Sequence, residues 1–105
     1  MKIYIAGPIT GLDYEEAVPA FIAAAAMLET LGHEPLDPMT LVDQNEMRAW
    51  EDYILDGIEI ILNDAEALYM LDGWRESKGA RLEHAVAESL GRPIYYQASE
   101  LPKGE

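Results

Sequence analysis

Short apolar runs alternate along this chain with longer stretches in which apolar residues recur every three or four positions. The runs are bounded by glycine, proline and other turn residues, which is typical of buried strands. They predict four strands, the second of them weak, at residues 2–6, 33–36, 66–71 and 92–96. The longer stretches have the spacing of amphipathic helices. They predict three helices: one with Pro19 in its first turn and Gly32 just past its end, one over 46–62 and one over 77–90.

The apolar stripes of these helices identify the side chains expected to face the core. On the first helix they are Phe21, Ala24, Ala25, Leu28 and Leu31. On the second they are Met47, Trp50, Ile54, Ile58 and Ile61. On the third they are Leu82, Val86 and Leu90. Residues 39–48 are predicted to form a loop or a loose helical turn.

The alternation of strands and helices predicts the fold class. Strand–helix–strand units of this length form right-handed crossovers between parallel strands. We therefore expect a single domain over residues 1–105, an α/β three-layer sandwich of flavodoxin-like or Rossmann-like type. Its short parallel sheet should have at least four strands in the order 2-1-3-4. Ligands of such sheets bind beyond the carboxyl ends of the strands, which selects the loop after the first strand and the loop at 72–79.

The charge balance excludes several partners. Seven Lys and Arg stand against 20 Asp and Glu, a formal net charge of −13. Such a surface repels phosphate backbones and anionic lipid headgroups, so neither nucleic acid nor a membrane is expected as a partner. The chain has no cysteine for a disulfide, a thiolate nucleophile or a zinc site. No apolar run approaches bilayer length and no export signal is visible, so a cytoplasmic location is expected.

The start of the third helix is a candidate anion site. Ser77, Gly79 and Ala80 open this helix directly after a strand and a loop, where free backbone N–H groups and the positive end of the helix dipole favour an anion. Four of the seven basic residues fall in or beside this stretch: Arg75, Lys78, Arg81 and Arg92. The alternative is structural, with Ser77 as an ordinary N-cap and Gly79 as a loop glycine.

Glu83 is the candidate reactive group. It stands at the margin of the inner face of the third helix, beside small residues that leave room for a ligand. A partly desolvated carboxylate near a positive helix end is available as a nucleophile or a base. The alternative is a surface glutamate paired with Arg81 or another neighbour.

Three segments together resemble a known family: MKIYIAGPITG at the start, the DGW turn, and SKGARLEHAVAESLG. They resemble a compact phage and bacterial branch of the nucleoside 2-deoxyribosyltransferase superfamily, which also contains the 2′-deoxynucleoside 5′-monophosphate N-glycosidases. The resemblance extends to about Tyr96, and its most specific element is Ser-x-Gly-x-x-x-Glu, here Ser77, Gly79 and Glu83.

The resemblance implies a reaction and roles for these residues. Glu83 would attack C1′ of a deoxyribose and displace the base, leaving a glycosyl ester that water or a second base resolves. Ser77 and Gly79 would hold a 5′-phosphate, with Ala80 and Arg81 beside them. The transferases carry an aspartate at the position of Ser77, so the serine favours the nucleotide hydrolases.

The resemblance also implies further site residues. Asp56 stands eight residues before Asp64, as does the family's second carboxylate, and would protonate or hydrogen-bond the leaving base. A solvated helix face is the alternative for Asp56. Tyr4 would line the sugar and base site, or simply pack in the core. The residues Gly7, Ile9 and Gly11 match the family's phosphate and sugar loop, but Thr10 stands where the monophosphate hydrolases have an arginine.

The expected function is cleavage of the N-glycosidic bond of a deoxynucleoside 5′-monophosphate or nucleoside, by hydrolysis and with base transfer as a variant. Two alternatives stay open: a nucleotide-binding or sensing protein with little turnover, and an acidic interaction protein. No organic cofactor is expected, and His33 and His84 lack metal-type spacing, so no metal is expected either. A homodimer or larger homo-oligomer is expected, with Trp50, Trp74 or the second helix as the candidate interface.

Overall fold

The centre of the protein is a sheet of four parallel strands. The computed structural model describes residues 1–8, 14–41 and 50–103. In chain order the strands are β1 (Lys2–Ala6), β2 (Glu34–Leu36), β3 (Ala67–Met70) and β4 (Ile94–Tyr95). Their spatial order is β2-β1-β3-β4, and every neighbouring pair is parallel. The predicted α/β fold, its parallel sheet and its strand order are confirmed.

In the residues that the structure describes, four helices connect and cover the strands. They are α1 (Tyr14–Thr30), α2 (Pro38–Leu41), α3 (Trp50–Asn63) and α4 (Lys78–Ser89), with short 3₁₀ turns at Trp74–Glu76 and Ala98–Glu100. Pro19 lies inside α1 rather than in its first turn. The predicted position of Pro19 was wrong because the helix begins earlier than expected. Its buried stripe extends back to Ala17, one turn before Phe21. None of the helices in the described residues is long and apolar enough to cross a bilayer.

The core has two halves, one on each face of the sheet. On one face, Ile3 and Ile5 of β1 pack with Phe21 and Leu28 of α1. The other half contains side chains of β1, β3, α3 and α4: Tyr4, Ala6, Ile61, Leu68, Met70, Ala80 and Ala87. Alternation along β1 therefore places Tyr4 on the face covered by α3 and α4. Met47 and the side chain of Trp50 lie outside the described residues.

The buried side of α4 differs from the predicted stripe. Leu82 and Leu90 are 41% and 38% exposed, and Val86 is half-buried. The buried positions are instead Gly79, Ala80, Glu83 and Ala87. Two stripes of nearly the same spacing run along this helix. The one with small residues faces the sheet because it lets the helix axis approach closely, and it takes Glu83 inward with it.

Gly7 marks a close approach between the exits of β1 and β3. A Cβ atom on Gly7 would lie 2.8 Å from the side chain of Leu71, so any other residue would push β3 away. The Leu71 N–H donates a hydrogen bond to the Ala6 carbonyl at 2.8 Å across the same gap. Packing therefore accounts for Gly7, and its role in binding a substrate stays a prediction.

Candidate active site

A buried carboxylate of α4 meets a buried tyrosine of β1. Glu83 is 7% exposed, and its Oε2 accepts a hydrogen bond of 2.5 Å from the Tyr4 hydroxyl. Tyr4 is itself fully buried, at the third position of β1. Glu83 therefore does not pair with Arg81 at the surface, where Arg81 is exposed. The carboxylate and the phenol form a fixed pair between the sheet and the helix.

Gly57 of α3 completes the enclosure of this pair. A Cβ atom at Gly57 would lie 2.5 Å from Glu83 Oε2 and 2.6 Å from the Tyr4 hydroxyl. Both oxygen atoms thus occupy the space that a side chain on α3 would need. The sequence analysis missed Gly57. The available signal was a glycine in the interior of a helix, where it costs about 1 kcal/mol relative to alanine and so indicates a close contact.

Burial changes the acidity of both groups. It raises the pKa of Glu83 from 4.5 to about 7, while the hydrogen bond from Tyr4 acts in the opposite direction. The pKa of Tyr4 is raised well above its usual value of 10.0, first by burial and then by the charge of Glu83. Near neutral pH, Glu83 therefore exchanges between acid and carboxylate while Tyr4 remains a hydrogen-bond donor. A group with that acidity suits nucleophilic or acid–base chemistry.

Removing the Tyr4 hydroxyl should make Glu83 a weaker acid. In Tyr4→Phe the hydrogen bond that lowers the pKa of Glu83 is lost, so this pKa should rise further above about 7. We expect the carbon-13 resonance of the Glu83 carboxyl to titrate at higher pH in the variant. The exposed Tyr96→Phe substitution is the matched control. A midpoint unchanged or lowered in Tyr4→Phe would contradict the stabilising role of this hydrogen bond.

The buried carboxyl should also destabilise the folded protein at high pH. Between pH 4.5 and about 7 the folded state holds a proton on Glu83 that the unfolded state has lost. The contribution of Glu83 to the free energy of unfolding therefore falls as pH rises through this window and stays low above it. A pKa shift of this size changes the free energy of unfolding by about 3 kcal/mol.

Glu83→Gln should consequently be more stable than the wild type above pH 7, with the difference vanishing below pH 4.5. Urea unfolding of both proteins across this pH range measures the difference between their free energies of unfolding. The comparison of the two proteins cancels the titration of the other carboxyl groups. A variant less stable than the wild type at high pH would contradict the cost of burying this charge.

Asp37 is a second buried carboxyl group, and the sequence analysis also missed it. It directly follows β2 and is 7% exposed. Its Oδ1 accepts a 2.8 Å hydrogen bond from the Met39 N–H at the start of α2. Burial raises the pKa of Asp37, and the charge of Asp37 in turn contributes to the raised pKa of Tyr4. The available signal was an Asp-Pro pair just beyond the carboxyl end of a predicted strand.

The start of α4 has the geometry of a helix cap. The Ser77 hydroxyl is buried and accepts a 3.3 Å hydrogen bond from the Ala80 N–H. Gly79 and Ala80 are buried, whereas Arg81 is exposed. The structural alternative for Ser77 is therefore present, and its role in holding a phosphate stays a prediction.

Not all of the basic residues near Ser77 in sequence lie close to it in the structure. The Arg92 Nε atom donates to the carbonyl of Ala65, before β3 and therefore at the opposite edge of the sheet. The Arg75 guanidinium lies 4.8 Å from the ring centre of Trp74. The cluster of positive charge that the sequence predicts around Ser77 is thus only partly present in the structure.

The remaining predicted site residues are Asp56 and those of the loop after β1. Asp56 precedes Gly57 on α3, and its side chain is half-buried. Its environment is therefore neither a fully solvated helix face nor a closed site. Ile9, Thr10 and Gly11 lie outside the described residues. Within the described residues, no group of three or more potential metal-ligating side chains of His, Cys, Asp or Glu occurs.

An aromatic cluster and a pocket lie beside α4, beyond the ends of β3 and β4. The rings of Trp74 and His84 stack with centroids 4.4 Å apart, and His84 Nε2 lies 2.8 Å from the Tyr96 hydroxyl. The adjoining pocket has a volume of about 440 Å³ and is lined by Met70, Asp72, Gly73, Trp74, Arg75, Glu76, Tyr96 and Gln97. Trp74 is half-buried in this cluster, and its role as an interface residue stays a prediction.

A solved structure shares the fold of this protein, and a family model matches its sequence. Its fold is similar to that of a 2-deoxyribosyltransferase from the psychrotolerant bacterium Bacillus psychrosaccharolyticus, with a TM-score of 0.66 and 23% identity. The match covers 90% of this chain and 69% of that one, and it shows a shared fold. The chain belongs to the family described as a domain of unknown function (DUF4406), whose model matches residues 1–96. No curated protein matches the chain by sequence.

Proposed function

We propose that this protein cleaves the N-glycosidic bond of a deoxynucleoside or its 5′-monophosphate, with Glu83 as the nucleophile. The observation that carries the proposal is the buried Glu83–Tyr4 pair, enclosed by Gly57, on the fold of a 2-deoxyribosyltransferase. A carboxylate in such a position stabilises the positive charge that develops on the sugar as the bond to the base breaks.

The reaction proceeds in two displacements. The Glu83 carboxylate attacks C1′, the bond from C1′ to the base nitrogen breaks, and its electron pair leaves with the base, which takes up a proton. Water then attacks C1′, loses a proton and frees Glu83. The Tyr4 hydroxyl holds the carboxylate oriented. The pKa of about 7 of Glu83 leaves a substantial carboxylate fraction at neutral pH.

The other predicted residues would bind the rest of the substrate. Ser77, Gly79, Ala80 and Arg81 at the start of α4 would hold a 5′-phosphate, and Gly7, Ile9 and Gly11 the sugar and phosphate. Asp56 would hydrogen-bond the base. We propose hydrolysis over transfer because Ser77 stands where the resembling transferases carry an aspartate. Because Thr10 stands where the monophosphate hydrolases carry an arginine, we propose the unphosphorylated nucleoside as a substrate as well.

Chromatography of reaction mixtures tests this proposal. The protein is incubated with each common deoxynucleoside and deoxynucleoside 5′-monophosphate, alone and with a second free base. We expect free base and deoxyribose product from at least one of them, and a new deoxynucleoside only if transfer also occurs. Glu83→Gln should release none. Absence of base release from the whole panel by the wild type would contradict the proposal.

A nucleotide-binding protein with little turnover is the second candidate. It is favoured by one observation: Thr10 stands where the resembling monophosphate hydrolases carry an arginine, so a bound nucleotide lacks a contact that those enzymes have. This candidate predicts that a nucleotide raises the melting temperature without forming product. Product formation in the same mixtures distinguishes the enzyme from the binding protein.

A further inference from the structure

The outer side of the α3–α4 pair carries apolar side chains that are exposed to water. Leu55 and Leu62 of α3 are 59% and 47% exposed, and Ile58 between them is half-buried. On α4, two exposed leucines and a half-buried valine have a similar spacing. We call these residues the apolar seam: Leu55, Ile58, Leu62, Leu82, Val86 and Leu90. Contiguous apolar patches are typical of surfaces that bind another protein.

The two halves of the apolar seam face each other across the groove between the helices. α3 and α4 pack side by side and run in the same direction, because each returns from the carboxyl edge of a parallel sheet to its amino edge. On α4, His84 follows the buried Glu83 and stacks in the aromatic cluster on the β4 side, away from α3. Leu82 precedes Glu83 and therefore turns the other way, toward α3. By the same rotation Ile58, which follows the buried Gly57, turns toward α4.

The charges that border the apolar seam differ in sign between the two helices. Every charged residue of α3 is acidic, and Glu51, Asp52 and Glu59 are exposed. The first turn of α4 instead presents two exposed cations, Lys78 and Arg81. In a chain with a net charge of −13, this basic margin beside an acidic one makes the surface complementary to itself.

We infer that the apolar seam binds a second copy of this chain, with α3 of each copy packed against α4 of its partner. A two-fold axis relates such copies, so the same surface of each is used. The leucines of both copies form the centre of the interface, and the acidic margin of each α3 meets the basic first turn of the partner's α4. Packing α3 against α3 would instead bring two acidic rows together. The interface lies on the helices that enclose the Glu83–Tyr4 pair, but the inference does not depend on a reaction there.

Sedimentation equilibrium at about 1–100 µM protein tests the inference. We expect the wild type to have twice the chain mass of 11.7 kDa. Leu55→Glu and Leu82→Glu should each raise the dissociation constant at least about tenfold, because the new carboxylate would lose its water at the centre of the interface. The matched control is Ile22→Glu, since Ile22 is 58% exposed but lies on α1, which covers the other face of the sheet. This variant should remain a dimer. Near-ultraviolet circular dichroism of each variant separates loss of the interface from loss of the fold.

An exchange of charges tests the arrangement of the helices. Asp52 and Arg81 are exposed in the first turns of α3 and α4. A two-fold axis parallel to the helices therefore places Asp52 of one copy beside Arg81 of the other. Asp52→Arg should weaken the dimer about threefold to tenfold, although it reduces the net negative charge of each copy. Arg81→Asp should weaken it as well, and the double variant should regain most of the lost affinity.

Three results would overturn the inference. A wild type that stays monomeric up to about 100 µM would mean that the apolar seam binds another protein or none. Equal weakening by Ile22→Glu and by the leucine variants would show that the interface lies elsewhere. Tighter association of Asp52→Arg would indicate that α3 packs against α3.

Discussion

Replacing Glu83 by glutamine is expected, on the proposed function, to lower kcat/KM for base release by at least about a thousandfold, as for other enzymes that lose a nucleophile. The amide keeps the size of the carboxyl and still accepts the hydrogen bond from Tyr4, but it does not form an ester with C1′. The measurement is chromatographic quantification of free base over time. Glu88→Gln, an exposed change on the same helix, is the control and should leave the rate unchanged.

Chemical rescue sharpens this prediction. In Glu83→Ala the space of the side chain is vacant, and a small anion such as azide can attack C1′ in place of the carboxylate. The expected product is a deoxyribosyl azide, identified by mass spectrometry, and base release should depend on azide concentration. If Glu83→Gln keeps its rate within about tenfold of the wild type, Glu83 is not the nucleophile.

Adding a single methyl group at Gly57 is expected to have the second-largest effect. The new Cβ atom would lie 2.5 Å from Glu83 Oε2 and 2.6 Å from the Tyr4 hydroxyl, so both oxygen atoms must move. Displacement of a reacting group by about 1 Å lowers rates by about 100-fold. The helix itself gains about 1 kcal/mol from alanine in place of glycine, which offsets part of the cost of the new contacts to folding. Initial rates and thermal unfolding of Gly57→Ala measure the two effects separately.

A double-mutant cycle with Tyr4→Phe isolates the contact. Removing the Tyr4 hydroxyl relieves one of the two clashes, so the loss caused by Gly57→Ala should be smaller in the Tyr4→Phe background than in the wild type. Glu59→Ala, an exposed change on α3, is the control for substitution on this helix. Equal losses in both backgrounds, or a Gly57→Ala variant as active as the wild type, would contradict a site that depends on the absence of this side chain.

Much of the fold was predictable because its signals are local. Each strand is a short apolar run ended by glycine, proline or a polar turn, and the alternation of such runs with helices specifies a parallel sheet. Errors arose where two local patterns compete. On α4, the stripe of Leu82 and Leu90 has the same spacing as that of small residues one or two positions away. Only packing against the sheet decides which stripe is buried.

The candidate site was predictable only in part. Glu83 was found through its family motif and its place at the start of a helix after a strand. Asp37 and Gly57 were missed because their local signals, an Asp-Pro pair after a strand and a glycine inside a helix, do not by themselves specify chemistry. The significance of Gly57 comes from its proximity to Tyr4 and Glu83, which are distant from it along the chain. Spacing rules describe one helix or strand at a time, and a site formed by four of them is visible only once they are packed.

The hydrogen bond between Tyr4 and Glu83 joins residues 79 positions apart, near opposite ends of the chain. Contacts between residues so far apart along the chain slow folding because the loop between them must close first, so we expect this hydrogen bond to form late, once β1 and α4 pack together. On the proposed function, nascent or partly folded chains would therefore release no base. In a refolding experiment, the appearance of activity would report arrival at the complete native state rather than collapse or helix formation.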